Sequence, residues 1–431
     1  MRSVILRLAA AWLLLAAATA QADFSVHMDS GDQLDVETLN PEGSGPLFVW
    51  LINQYAEMQG PDQLAEVLIE RDAVIWRVDL LETLLLQRTN EAVRSLGGTP
   101  VAALLDEAVD RGHGPIVLVT CDRMSVPLLR GMRTWQARAE DATAVAGAVL
   151  FFPNLYRGTP VAGEDPEFMG IVSATSMPVI VMQPELGTNR RRLESLLSTL
   201  HLGGSPAFGW MIDGVRDYYL LHEDEPQSES LEAMGPVPEA VRMAKDTTPD
   251  QLLAAARLLA KVPRPDDPPP LDSAAEEPVA PPYGLVERPP EPAPEYRLPD
   301  ARGPVHDASE NLGRVTLVNF WATWCPSCVH EIPSMNRLQA GYDEDDFAIV
   351  SFNYKEDQEH VLDFMAQIPV DFPVLLDIDG AVSDRWDVFA FPSSFILDAE
   401  GRIRYSVNTA IEWDTEEVRA VIDTLLRERE D

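Results

Sequence analysis

The sequence predicts an α/β protein in two units: a larger, mostly parallel sheet domain and a smaller strand–helix domain, joined by a proline-rich linker. Three observations carry this. Residues 23–225 alternate compact apolar runs with helical patterns. Residues 263–295 are dense in proline and acid. Beyond them a β-branched apolar run over 315–320 leads into Cys325-Pro326-Ser327-Cys328, at the start of a helical pattern. At 431 residues the chain is too long for one ordinary domain, and an apolar fraction of 46% is ample for packed cores. A formal net charge of −37 argues against nucleic acid or an anionic membrane surface as the main partner. Three cysteines cannot build a disulfide framework.

Taken in order, Arg2 and Arg7 precede an apolar stretch over 8–18, and Ala20-Gln21-Ala22 supplies small residues at cleavage spacing. This predicts a secretory signal peptide over 1–22 and an exported chain, most simply a periplasmic one. The apolar stretch is shorter than the ~20 residues a spanning helix needs. No cysteine follows it to accept a lipid, and no other segment is apolar enough to cross a bilayer. No stable membrane insertion is therefore expected after cleavage.

Within 23–225 the expected strands lie at 47–52, 73–78, 116–119, 145–152, 178–182 and 207–212. Helices are expected at 61–71, 100–110, 125–138 and 189–200, which implies a parallel sheet covered on both faces. That order resembles an α/β-hydrolase domain, in which one strand ends in Gly-x-Ser-x-Gly. Here the strand runs into Thr120-Cys121-Asp122-Arg123-Met124, so Asp122 takes the nucleophile position and Thr120 and Met124 replace both glycines. Glu185 falls near the acid position. Arg216 or Asp217 falls at the histidine position, where neither shuttles a proton near neutral pH. His201 and His222 are off that place. The expectation is a hydrolase-like domain without its chemistry, with an Asp122-dependent hydrolase as the alternative.

Residues 226–262 read as an acidic extension with a helix over 249–261, and 263–295 as an extended, semi-rigid spacer. The second domain occupies 296–431. Its expected strands are 315–320, 347–353, 372–376, 394–398 and 403–407, with a turn at Glu400-Gly401. Helices are expected after Cys325 and at 359–367, 381–386 and 415–427, the last capped by Asp414.

The chemistry sits at the strand-to-helix junction. Unpaired N–H groups and the positive end of the helix dipole favour a thiolate at Cys325, which can attack a disulfide. Cys328, one turn on and more buried, can resolve the mixed disulfide. Tetrahedral zinc wants four ligands, and neither His330 nor Cys121 makes up the deficit, so no metal and no cofactor is expected. Cys121 reads as a buried apolar filler.

The string Phe320-Trp321-Ala322-Thr323-Trp324-Cys325-Pro326-Ser327-Cys328, with Glu331, the Phe391-Pro392 pair and the strand after it, resembles the TlpA/ResA-like group of exported thiol-disulfide oxidoreductases. The resemblance implies a thioredoxin fold, with the helix and strand over 359–376 as that group's insertion. It implies that Pro326 and Ser327 help set the redox potential. It also implies that Glu331 tunes the thiols and moves protons for Cys328. Plain thioredoxin has an aspartate on the preceding strand for this work; here that place is Asn319, which cannot ionise. Pro392 matches the cis-proline facing the disulfide, and the backbone of Phe391 would pair with an incoming chain. Trp324 and Trp321 flank the site, Trp321 as the core residue.

What the resemblance implies for function is a reductase of protein disulfides, drawing electrons from a membrane thiol donor. The related reductase of cytochrome c maturation carries Trp-Cys-Pro-Thr-Cys and a Gly-x-Pro-Glu signature; Ala390-Phe391-Pro392-Ser393 departs from the second. A different class is a partner-recruiting protein, in which the first domain holds a substrate and the spacer raises its effective concentration at the thiols.

Overall fold

The computed structural model describes residues 23–55, 62–221, 239–265, 267–279, 284–388 and 390–430. The expected signal peptide and His222 lie outside them.

The first sheet is built from β1 (Phe24–His27), β2 (Gln33–Leu39), β3 (Leu47–Leu51), β4 (Val74–Val78), β5 (Ile116–Cys121), β6 (Val145–Phe151), β7 (Val179–Pro184) and β8 (Ala207–Ile212). Their order is β1-β2-β4-β3-β5-β6-β7-β8, and from β4 to β8 every pair is parallel. β6 and β7 are buried along their whole length, as a sheet covered on both faces requires. The hairpin β1–β2 was not expected. Its alternation is real, with Leu34 and Val36 buried between exposed Gln33 and Asp35, but four acids over 29–37 mask it.

One face of this sheet is covered by the helices α2 (Thr99–Asp110) and α3 (Ser125–Gln136), through Leu104, Leu105, Leu128 and Leu129. The other is covered by α1 (Asp62–Glu70) and α5 (Glu239–Leu259), through Leu64, Leu68, Val241 and Leu252. Between them in sequence lies α4 (Leu193–Leu202), packed beside β8. The expected helix over 249–261 thus begins ten residues earlier and runs through Pro249. Proline there removes one backbone donor. Burial of Val241, Ala244 and Leu252 on one stripe outweighs that loss, and Tyr219 Oη meets Thr248 Oγ1 at 2.9 Å. The described part of the expected extension, from Glu239 on, packs as part of the first domain.

The spacer also needs correction. Glu276 pairs with Arg130 at 2.6 Å and accepts from the Ile171 N–H, while Gly170 N–H donates to Ala275 at 2.9 Å. Further on, β9 (Val286–Pro292) joins the second sheet. Proline-rich chain already lies near extended geometry, and an edge strand tolerates missing N–H groups. Composition alone reads such a strand as linker.

After β9 the second domain continues with a small antiparallel pair, β10 (Arg297–Pro299) and β11 (Val305–Asp307). Its main strands are β12 (Val315–Trp321), β13 (Phe347–Tyr354), β14 (Val374–Asp377), β15 (Ser393–Leu397) and β16 (Arg402–Val407), in the order β14-β13-β12-β15-β16-β9. β12 pairs parallel to β13 and antiparallel to β15, and all seven of its residues are buried. Helices α6 (Pro326–Gln339), α7 (Gln358–Gln367) and α8 (Glu416–Glu430), with a short helix over Ala381–Arg385, pack with them. Asp414 does not cap α8. Thr415 Oγ1 accepts from Val418 N–H at 3.3 Å, while Asp414 is drawn off to Arg337. Together this is a mixed α/β structure with a thioredoxin-fold C-terminal region.

The two domains touch. Ala162, in the loop after β6, joins the apolar cluster of Val318, Phe320 and Phe395 on one face of the second sheet. Gly163 sits at φ +84°, and a Cβ there would lie 3.3 Å from the Phe395 ring. Asn408 Nδ2 donates to the Pro160 carbonyl at 2.8 Å, and Arg191 donates to the Asp384 carbonyl at 2.6 Å.

Candidate active site

β12 delivers the motif. Its last residue, Trp321, is fixed by Nε1 donating to Ser351 Oγ at 3.2 Å. The turn beyond it is held by one buried carboxylate: Glu356 accepts from Thr323 N–H at 2.8 Å, from Thr323 Oγ1 at 2.6 Å and from Asn353 Nδ2 at 2.7 Å. Chain direction at the mouth of α6 is therefore set from behind.

Cys325 is the N-cap of α6, with extended backbone angles, and Pro326 follows at the first helical position, where its lost N–H costs nothing. Sγ of Cys325 accepts from the Cys328 N–H at 3.2 Å and lies 3.4 Å from Ser327 Oγ. Cys325 and Cys328 are joined, with S–S 2.06 Å and Cα–Cα 5.3 Å. Cys325 keeps 5% exposure and Cys328 none. Pro326, Ser327 and Trp324 form an exposed rim around the outer sulfur.

Glu331 lies one turn further along α6, 1% exposed. Asn319 Nδ2 donates to Oε1 at 2.8 Å and Trp413 Nε1 to Oε2 at 3.1 Å. Burial pushes its pKa up to about 8, against the opposing pull of the bonds from Trp413, Asn319 and the Ile411 backbone. None of those partners is cationic. At neutral pH the carboxyl thus holds its proton and can release it within the working range.

Phe391 and Pro392 come to the same place, since β15 pairs with β12 so that Phe320 faces Ser393. The bond between Phe391 and Pro392 is cis. The Phe391 ring stands edge-on to Trp324 with centroids 5.8 Å apart, and 4.8 Å from Tyr354. The structure therefore brings together Cys325, Cys328, Glu331, Trp324, Pro326, Ser327, Phe391 and Pro392. It adds Trp413 and Glu356, which no motif singled out, and Arg216, which the hydrolase pattern had assigned to the first domain's own junction. A buried acid two residues after a strand was the available signal for Glu356; Trp413 lies 82 residues from its partner and carried none.

The first domain arranges its own junction. Asp122 follows β5 at φ +49° and leads directly into α3. Its Oδ2 accepts from Gln54 Nε2 at 2.6 Å and from Arg123 at 3.0 Å. Glu185 accepts the Gly214 N–H at 2.9 Å. Asp217, pushed up to about 6 by burial, accepts from Thr188 N–H at 3.0 Å and Oγ1 at 2.9 Å. His201 meets the Ala207 carbonyl instead of this cluster. The Cys121 thiol is pushed up to about 12 by burial, so it is a poor nucleophile. Among the described residues no group of three or more His, Cys, Asp or Glu is placed to hold a metal ion. Among them, too, no helix is long and apolar enough to cross a membrane.

Comparison with known proteins falls on the second domain. The Redoxin family matches residues 289–422. The thiol-disulfide oxidoreductase ResA of Bacillus subtilis is 35% identical over 26% of this chain, which spans 62% of that protein's length. The thiol:disulfide interchange protein DsbE of Allochromatium vinosum is 35% identical over 29% of this chain and 67% of its own. A crystal structure described as a DsbE-type interchange protein of Chlorobium tepidum is 30% identical, covering 33% of this chain and 99% of its own, with a TM-score of 0.31. The chain thus carries a redoxin domain at its C-terminal end and belongs to the thioredoxin-like thiol-disulfide oxidoreductases.

Proposed function

We propose that the chain is an exported protein-disulfide reductase working through the Cys325–Cys328 couple. The single observation that carries the reading is the half-open pair: Cys325 caps a helix behind an exposed rim, while Cys328 is sealed beneath it. In the dithiol form, the Cys325 thiolate attacks one sulfur of a substrate disulfide and the other sulfur leaves as a thiolate, which takes a proton. Cys328 then loses its proton and attacks Sγ of Cys325, releasing the second substrate thiol. Two electrons and two protons pass to the substrate, and the Cys325–Cys328 disulfide remains. Glu331, one turn from Cys328, is the group we assign to this transfer: it first gives up the proton it holds at neutral pH to the departing substrate thiolate and then, as the carboxylate, takes up the one Cys328 loses. Trp324, Phe391 and Pro392, with Pro326 and Ser327, form the substrate surface. A membrane thiol is the proposed donor that restores the dithiol, and the periplasm the proposed compartment, from the leader-like residues 1–22.

For the first domain, we infer a hydrolase-like scaffold without hydrolase chemistry. The largely parallel eight-stranded sheet and the tight junction at Asp122 support the scaffold. Arg123 on Asp122, and Arg216 and Asp217 where an imidazole belongs, support the loss. Turnover of activated esters or haloalkanes, abolished in Asp122→Asn, would reverse this second inference.

The test of the redox assignment is Cys328→Ala. It should accumulate disulfide-linked adducts with disulfide-containing proteins, resolved by reductant, and Cys325→Ala added to it should abolish them. Adducts that persist without Cys325 would overturn it.

A further inference from the structure

Arg216 follows β8 in the first domain, but its side chain ends in the second. Nη2 donates to the Lys355 carbonyl at 2.8 Å, and the guanidinium carbon lies 4.8 Å from the centre of the Trp324 ring. Nη1 is buried with no hydrogen-bond partner. The same guanidinium feels the charge of Glu356, the carboxylate that holds the Thr323 N–H just ahead of Trp324 and Cys325. Trp324 is therefore bracketed, with a cation from one domain on its face and Phe391 from the other against it edge-on. It remains 39% exposed, beside the reactive sulfur.

This arrangement is not what tethered, independent modules require. A buried N–H without a partner is costly, and here Nη1 of a half-buried guanidinium is left so while the group lies over one indole. We propose that Arg216 is a positioning residue for the redox centre, fixing Trp324 so that the first domain forms one wall of the groove in which an extended peptide disulfide lies against Phe391 and Pro392. The proposal rests on the redox function above. It selects polypeptide disulfides, which need that wall, over small ones, which need only reach Sγ of Cys325.

The test uses the full chain, reduced, with insulin as the protein disulfide. Arg216→Leu should raise KM about three- to tenfold, the range a cation–π contact supplies, with kcat changed by less than about twofold. Arg216→Lys should fall between the two. In a Trp324→Leu background, Arg216→Leu should add nothing further. Should Arg216→Leu fail to fold, Arg216→Lys and Arg216→Gln complete the same cycle with Trp324→Leu. An unchanged KM, or the same rise with and without Trp324, overturns the proposal alone. A wild-type chain that exchanges no disulfide at all overturns the redox reading and this one with it.

Discussion

Two strand-to-helix junctions face different fates in this chain, although each ends a buried strand and opens a helix beside a buried carboxylate. At the end of β5, Asp122 is neutralised by the adjacent Arg123 and tied to Gln54. Beyond β12, Glu331 meets neutral donors, Asn319, Trp413 and the Ile411 backbone. A cation compensates the first charge and locks it into structure. Neutral donors cannot fully offset burial, so the second carboxyl is left poised to exchange a proton near neutral pH. What distinguishes the two is the charge of the partner, not the presence of an acid.

The comparison can be broken most forcefully at its cation. Arg123→Met leaves Asp122 buried with only the more distant charge of Arg94 to offset it, and should cost about 3–5 kcal/mol in denaturant unfolding. Adding Asp122→Asn should recover much of that. No recovery would mean Arg123 acts through packing rather than charge. Next comes Glu331→Gln. Because the folded-state pKa of Glu331 is raised, its contribution to stability is complete below the ordinary carboxylate range and is lost as pH rises through about 8. The oxidised wild type should therefore lose on the order of 4 kcal/mol between pH 4.5 and 8 that the glutamine variant keeps. Parallel pH profiles for the two proteins would refute a poised carboxyl. Smallest is Asn319→Ala, which removes one neutral donor and should cost about 1 kcal/mol. It should also move the protonated carboxyl band of Glu331 to persist at higher pH, as followed by infrared difference spectroscopy.

How far the site was legible follows from the range of each interaction. The place of Cys325 depends on a β-branched run meeting a proline-started helix within a dozen residues, so local pattern was enough. The neutrality of Asn319 opposite Glu331 was equally readable, since both lie on elements flanking the motif. Trp413 and Arg216 reach the site across 82 and more than a hundred residues, by routes no spacing encodes. The hairpin of β1 and β2 was hidden because charged residues occupy its solvent face, leaving only Leu34 and Val36 to mark the inner one. The helix through Pro249 and the strand over Val286–Pro292 were misjudged for a shared reason. Proline signals what a segment costs in isolation, whereas burial on a sheet or pairing at its edge decides what the segment does.

The amino-acid order by itself determined the redox pair, its place on a helix mouth, and the α/β character of both domains, because these rest on side-chain periodicity and short-range hydrogen bonding. Only the tertiary structure decided that the proline-rich segment is part of both domains' packing, that a distant tryptophan completes the Glu331 pocket, and that the first domain lays an arginine on Trp324. Those depend on which surfaces meet, and surface complementarity is a property of the folded chain as a whole.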